Sequence, residues 1–395
     1  MELEARFGVT NYAPLPVVLS RGAGCQVWDV DGKAYLDFMS AYSAVSHGHA
    51  HPRLVAVLQA QASRLAVVSR AFYSDRLGEF LARACELCNL EQALPMNTGA
   101  EAVETALKAA RRWAYRVKGV ADGQAGIIAC NGNFHGRTLG AIGLSGAADY
   151  RRDFGPFAPG SQLIPFGDAR ALARAITPAT AAFIVEPIQG EGGIVVPPAG
   201  YLAECAQICA RENVLLIADE IQTGLGRTGK LLACNHESVR PDLLLLGKAL
   251  GGGLLPVSLV LGRREVLGLF EPGSHGSTFG GNPLAAAVGL EALNVLLEEG
   301  LIDNAASQGE YLMQQLSQLT QPAVQAIRGR GLLQGMQLDP RQVQAHQVCQ
   351  ALLTRGILSR ETHGNVLRLA PPLIVQRKQI DAAVTQIDAA LTECA

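Results

Sequence analysis

Residues 243–256 read LLLLGKALGGGLLP and set one amine, Lys248, between an apolar run and three consecutive glycines. Four leucines ended by Gly247 have the length and flanks of a strand buried on both faces, as inside a parallel sheet. A lysine just past such a strand has its ammonium at the strand's carboxyl edge, where open α/β sheets bind ligands. Burial there lowers its pKa and suits it to imine formation. The same residues also fit a lysine whose stem packs while its head reaches water. The stretch thus points to an α/β fold and leaves Lys248 between two roles.

Upstream, residues 213–230 read NVLLIADEIQTGLGRTGK. Five apolar residues, 214–218, are followed at once by Asp219 and Glu220, and then by Gln222 in a glycine-rich loop. A carboxylate at the end of a buried strand is costly unless a cation or donor faces it, so a positive group is expected there. Asp219 lies 29 positions before Lys248, room for one crossover and one strand.

Further upstream, residues 95–112 read PMNTGAEAVETALKAARR. Val103, Ala106, Leu107 and Ala110 share a helical face, with Glu101 and Glu104 early and Lys108, Arg111 and Arg112 late. This marks a helix start near residues 98–100, where the amides of Gly99 and Ala100 suit a phosphate; an ordinary glycine loop before a helix reads the same way. The loop CNGNFHGRT brings Phe134, His135 and Arg137 to another strand end, an aromatic beside a carboxylate-binding cation or simply a core phenylalanine. After the short strand 181–185 comes EPIQGEGG, with Glu186, Gln189 and Glu191 in a turn-rich loop where carboxylates usually cap or meet solvent. A lysine and an aspartate at two strand ends, with a phosphate-binding helix start, match the three needs of pyridoxal phosphate: an amine, an acid for the ring nitrogen and amides for the phosphate. A structural ion pair between Asp219 and an Arg or Lys is the simpler alternative.

With 395 residues and 49% hydrophobic content, the chain can bury a large core, as one big domain and one smaller one. Its 33 basic and 35 acidic residues form no run of either sign, which argues against a nucleic-acid or membrane surface and for a small-molecule partner. MELEARF is not a transit peptide and no apolar run has transmembrane length, so a soluble cytoplasmic protein is expected. Nine scattered cysteines do not form a disulfide framework, and Cys85 and Cys88 lack the further ligands a zinc site needs. QVWDVDGKAYLDF carries a hairpin signal at Asp31-Gly32, flanked by Tyr12, Tyr42 and the histidines His47, His49 and His51, which read as a structural loop rather than a metal site. Residues 52–90 read as helices. Beyond Lys248, residues 257–262 read as a strand, HGSTFGGNP is a polar loop with Ser277 and Thr278, and Pro283 opens a long helix. Residues 301–395 alternate helices with short strands, and Arg368 inside an apolar strand pattern needs a partner or ligand.

The words PMNTGAEAVETALK, FHGRTL, EPIQGEGG, ADEIQTGLGRTGK, LLLGKALGGGLLPVS, HGSTFGGNP and LRLAPPL occur in the order and spacing of the class III, fold type I aminotransferases, and the chain resembles that family over essentially its whole length. Within it, the resemblance is closest to the ornithine δ-aminotransferases. It implies an N-terminal segment with a hairpin (1–46), a large pyridoxal-phosphate domain with a mostly parallel sheet flanked by helices (47–287) and a small α+β domain (288–395). By the same resemblance Lys248 bonds the cofactor's aldehyde, Asp219 pairs with the ring nitrogen, Gln222 bonds the phenolic oxygen and Phe134 stacks on the ring. Gly99 and Ala100 hold the phosphate, joined by Ser277 and Thr278 of the second subunit of a homodimer. Tyr12 in NYAPLP faces the substrate's α-amino end, Tyr42 in SAYSAV lines the pocket, and Arg137 binds the distal carboxylate. Glu191 pairs with Arg368 and masks it while the terminal amine reacts. His135 stands where some members carry tryptophan. The implied reaction moves the δ-amino group of ornithine to 2-oxoglutarate, giving glutamate 5-semialdehyde and glutamate. Alternative donors are N-acetylornithine, lysine and 4-aminobutyrate; a lyase, mutase or decarboxylase on the same scaffold and a non-enzymatic binding protein are the other readings. Gly251, Gly252 and Gly253 are expected where backbone passes close to the lysine arm.

Overall fold

Leu243–Leu246 lies third from one edge of a seven-stranded sheet. Its spatial order is Gln92–Met96, Ser258–Gly262, Leu243–Leu246, Leu215–Asp219, Thr180–Val185, Gly126–Cys130 and Ser161–Ile164. The structure is a computed structural model describing residues 1–395. From Leu243–Leu246 to Ser161–Ile164 every pairing is parallel, whereas Ser258–Gly262 runs antiparallel to both neighbours. The reason is the short connection: only a 3₁₀ turn, Lys248–Gly251, and a loop separate Leu246 from Ser258, too little for a helical crossover.

The apolar runs of this sheet divide between two cores with the period of a strand. Leu243, Leu245, Leu215, Ile217 and Val260 pack with Val103, Ala106 and Ala110 of the helix Gly99–Trp113. Leu244, Leu246, Leu216, Ala218, Leu259 and Leu261 face the larger core, shared with Tyr201–Arg211 and Pro283–Glu298. With both faces covered, the strands need apolar residues at every position, and the parallel carboxyl ends open together at one edge.

Two smaller sheets flank this one. The hairpin at Asp31-Gly32 forms between Gln26–Asp29 and Ala34–Asp37. Leu19–Ala23 extends it on one side, and Ile357–Leu358 adds a parallel strand on the other, so the two ends of the chain share a sheet. The third sheet is antiparallel, in the order Val324–Arg330, Leu333–Leu338, Val366–Leu369, Arg360–Thr362. The fully buried Arg227 ties these regions together through Ser46 Oγ at 2.9 Å and the carbonyls of Leu332 at 3.0 Å and Pro371 at 2.5 Å.

Two of the glycines after Lys248 have a local cause as well. Gly252 and Gly253 adopt left-handed φ of 61° and 74°, and a Cβ on Gly252 would come 2.8 Å from Leu54 Cδ1. The left-handed backbone at both, and packing on Leu54 at Gly252, call for glycine, and Gly253 lines a cavity together with Lys248. The three histidines turn to separate partners: His47 to the Ala292 carbonyl, His49 to Asp37 and His51 to Glu299. Cys85 and Cys88 end the helix Leu77–Cys88, and burial, then Glu220, pushes the Cys88 thiol up to about 12.

Candidate active site

At the carboxyl edge of the central sheet, a cavity of about 200 Å³ is lined by residues from five strand ends, among them Gly99, Phe134, Glu186, Asp219 and Lys248. Lys248 follows Leu246 through Gly247 and itself has a left-handed φ of 45°, a conformation that branched or bulky residues rarely adopt. No carboxylate or carbonyl holds its Nζ. Burial pulls the Lys248 ammonium below the ordinary lysine range against the pull of Glu191, Asp219 and Glu186, with Arg368 adding to the depression. The result is an amine closer to its neutral, nucleophilic form.

Asp219 ends its strand 4% exposed, and the expected positive partner is His135, not a lysine or arginine. His135 Nδ1 lies 2.7 Å from Asp219 Oδ2, and Asp219 Oδ1 accepts from the Ile221 amide at 3.2 Å. Burial pushes the imidazole down, but the hydrogen bond and charge of Asp219 outweigh it and leave its pKa raised. Glu186, also buried, accepts from the Phe134 amide at 2.9 Å. Burial, reinforced by Asp219 and opposed by His135, pushes it up to about 7. Glu186 is thus a buried site carboxylate and not a loop cap, and the signal for it in the sequence is its position directly after a fully buried strand. Glu220, by contrast, is structural: it accepts from Thr223 Oγ1 and from the amides of Ala233 and Cys234.

The helix Gly99–Trp113 begins with a capping box, in which Thr98 Oγ1 accepts from the Glu101 amide and Glu101 returns the bond to the Thr98 amide. That arrangement leaves the amides of Gly99 and Ala100, both lining the cavity, without an acceptor. A Cβ on Gly99 would meet Ile221 at 3.1 Å, tighter than ordinary packing.

These groups fit pyridoxal phosphate. Gln222 Nε2 is a buried donor without a partner, suited to the phenolic oxygen. Asp219 offers an acceptor to a ring nitrogen, Phe134 and Ile221 are the apolar walls, the Gly99 and Ala100 amides suit the phosphate, and Lys248 is the amine.

The structure places the other expected residues at varying distances from this cavity. Arg368 is 1% exposed on Val366–Leu369, and its Nη1 lies 2.8 Å from Glu191 Oε1 without hydrogen-bond alignment. Its guanidinium also lies 5.0 Å from the Tyr42 ring. Tyr42 sits in Ser40–Ser43, four consecutive non-glycine residues with positive φ. Asp37 Oδ1 holds this turn by accepting from the amides of Met39 and Ser40 at 2.8 Å. Arg137 and Tyr12 share a separate cavity with Tyr150 and Phe154, where the Arg137 guanidinium lies 3.6 Å from the Tyr150 ring centroid. Tyr12 is 77% exposed there and does not line the Lys248 cavity. Ser277 and Thr278 do not line it either; Ser277 Oγ accepts from Asn97 Nδ2 at 2.8 Å.

Comparison with known proteins gives one consistent result. The family description "Aminotransferase class-III" matches residues 7–391. The ornithine aminotransferase of Bacillus subtilis (strain 168) is 54% identical over 383 residues, covering 97% of this chain and 95% of that protein. Among solved structures, the ornithine aminotransferase of Toxoplasma gondii ME49 superposes with a TM-score of 0.98 at 46% identity, covering 99% of this chain and 94% of that one. An acetylornithine aminotransferase from Elizabethkingia anophelis superposes with a TM-score of 0.90 at 45% identity, covering 99% and 98%.

Proposed function

The chain belongs to the class-III aminotransferases, and from that premise we propose that it moves the δ-amino group of L-ornithine to 2-oxoglutarate, giving glutamate 5-semialdehyde, which cyclises to pyrroline-5-carboxylate, and L-glutamate. Its cofactor is pyridoxal phosphate, which when bound supplies an aldehyde for the amine and a ring that accepts electrons from the substrate carbon. Lys248 is the residue that would hold the cofactor's aldehyde. Its Nζ, freed when a donor amine takes that place, would move the proton from the substrate's δ carbon, work that suits an amine whose pKa burial has lowered. Asp219 would keep a proton on the ring nitrogen, and His135 holds the carboxylate for that task. Gln222 would donate to the phenolic oxygen, with Phe134 and Ile221 as the apolar walls beside the ring. Gly99 and Ala100 would hold the phosphate, joined by Ser277 and Thr278 of a second copy. Phe72, Tyr73 and Phe279 are exposed on this chain, and a second copy that covered them would be in keeping with such a homodimer. No helix is long and apolar enough to cross a membrane, and the cytoplasm is the proposed location. The division into a segment 1–46, a cofactor domain 47–287 and a small domain 288–395 follows the same reading.

Choice of the δ-amine is supported chiefly by one observation: the buried Arg368 is engaged by Glu191 instead of open to a carboxylate. A donor with two amines must present its far end, and a masked Arg368 denies its α-carboxylate the binding mode that would bring the α-amine to Lys248. Arg137 then receives that carboxylate, with Tyr12 at the α-amino end and Tyr42 lining the pocket. In the second half-reaction Glu191 swings away and 2-oxoglutarate uses Arg368. Incubation with 2-oxoglutarate and either ornithine, N-acetylornithine, lysine or 4-aminobutyrate tests the donor, with the cyclised semialdehyde trapped chemically. Ornithine is expected to be the strong donor; turnover of the acetylated amine with none of ornithine overturns the assignment.

A further inference from the structure

The loop that carries Glu191 is fastened to the sheet that carries Arg368. Arg328, Gly335 and Arg368 are direct register partners across three adjacent antiparallel strands, Val324–Arg330, Leu333–Leu338 and Val366–Leu369. Opposed residues in such a ladder project from the same face, so two arginines flank a glycine. Ile194 of the Glu191 loop packs on that glycine: a Cβ at Gly335 would come within 3.0 Å of Ile194 Cβ. Ile194 is fully buried with φ of 52°, a backbone conformation exceptional for a β-branched residue and held only where its surroundings dictate it.

Arg328 bonds this stretch of backbone rather than a carboxylate. Its Nε donates to the carbonyls of Gly193 at 3.0 Å and Ile194 at 3.1 Å, and its Nη2 donates to Gly193 at 2.7 Å and to Gln337 Oε1 at 3.1 Å. Thr362 Oγ1 donates to the Glu191 carbonyl itself at 2.7 Å. From the central sheet, Gln189 Nε2 donates to the Asn131 carbonyl at 2.8 Å, and a Cβ at Gly192 would collide with the Gly132 carbonyl at 2.6 Å. The two arginines of the row therefore divide the loop between them: Arg328 takes its backbone, and Arg368 takes its side chain.

We infer that Arg328 and Thr362 are positioning residues that fix the backbone of the Glu191 loop, so that masking of Arg368 depends on this clamp and unmasking is a rotation of the Glu191 side chain alone. The inference rests on the gate described under the proposed function. Loss of the clamp frees the loop to sample other conformations, weakens the hold of Glu191 on Arg368 and opens Arg368 to a competing carboxylate. The effect is on selectivity, because Arg328 and Thr362 act through Glu191.

The test is calorimetric binding of glutarate, a five-carbon dicarboxylate without amine or keto group, to the cofactor-loaded protein and to Glu191→Ala, Arg328→Met, Arg328→Lys and Thr362→Val. Binding stoichiometry reports the folded fraction, so misfolding lowers the number of sites and not their affinity. Arg328→Met is expected to tighten glutarate by about 3- to 10-fold, in the direction of Glu191→Ala. Thr362→Val should tighten it by about twofold. Arg328→Lys should fall between wild type and Arg328→Met, since an ammonium cannot reproduce the fork on two carbonyls. Unchanged affinity in Arg328→Met and Thr362→Val, with a clear gain in Glu191→Ala, overturns the clamp and leaves the gate standing. Unchanged affinity in Glu191→Ala removes the gate and the clamp with it.

Discussion

Replacing Glu191 by alanine removes the one charged partner of Arg368, and the structure sets the size of the consequence. The pair is in contact at 2.8 Å through a single nitrogen, Arg368 is 1% exposed, and the Glu191 side chain is 23% exposed. Charge centres roughly 4 Å apart in an effective dielectric of about 20 attract by about 4 kcal/mol. Solvent reaching Glu191 screens part of this, and an incoming α-carboxylate must shed its own water to take the same place. About 1.5 to 3 kcal/mol of discrimination against α-carboxylate binding remains, or roughly a 10- to 150-fold change in specificity. Glu191→Ala should therefore raise the specificity constant for glutamate as donor by that factor relative to ornithine. Single-turnover absorbance changes of the bound cofactor, followed separately with each donor, give both constants. An unchanged ratio of the two, with the protein fully loaded, would refute the masking argument, since a purely structural lesion lowers both constants together.

Other consequences follow from the same cavity. Lys248→Ala should abolish the visible band of the covalently held cofactor and slow transamination by at least about 10²–10⁴-fold, the worth of a general acid–base group alone; a band that survives would show that another residue holds the cofactor. Glu186, pushed from its ordinary 4.5 up to about 7, keeps its proton in the folded state over a pH window in which the unfolded chain has released it. Stability should thus fall by up to about 3 kcal/mol as pH rises from 4.5 to 7, and Glu186→Gln should flatten that slope in urea melts; an identical slope would count against the assignment. His135, whose pKa is raised, works in the same sense: its contribution is fully present below the ordinary histidine range and is lost as pH rises through its folded value. In His135→Phe that part of the slope should disappear from the same melts, and its persistence would argue that Asp219 does not depend on the imidazole.

The apolar runs made the central sheet legible before any coordinates. LLLL, AAFIV and VLLIA are long enough only for strands covered on both faces, and a parallel sheet brings Lys248, Asp219 and Gly99 to one edge. The helix start at Gly99 was equally readable, because acids in a first turn and bases in a last one are local signals; the capping box of Thr98 and Glu101 is what the structure adds. Contacts between distant loops were not readable in that way. The cation facing Asp219 is 84 positions upstream and is a histidine whose charge depends on the carboxylate it meets. The left-handed turn Ser40–Ser43 contains no glycine to betray it, and is held by Asp37 and by Ser40 Oγ bonding the Ala370 carbonyl 330 positions away. Gly252 and Gly253 were visible as glycines, but the leucine that explains Gly252, Leu54, comes from a helix far upstream. Tyr12 and Arg137 read as pocket residues, yet within this chain they meet Tyr150 in a separate cavity, an arrangement no local pattern encodes.

The δ-nitrogen of ornithine, and not its α-nitrogen, is the one expected to pass through this site to 2-oxoglutarate, and this can be read directly. Ornithine carrying ¹⁵N only at the δ position, incubated with the cofactor-loaded protein and 2-oxoglutarate, tests it by mass spectrometry of the glutamate formed. Labelled glutamate together with unlabelled pyrroline-5-carboxylate is the expected result. Unlabelled glutamate, with the ¹⁵N retained in the donor-derived product, would contradict it.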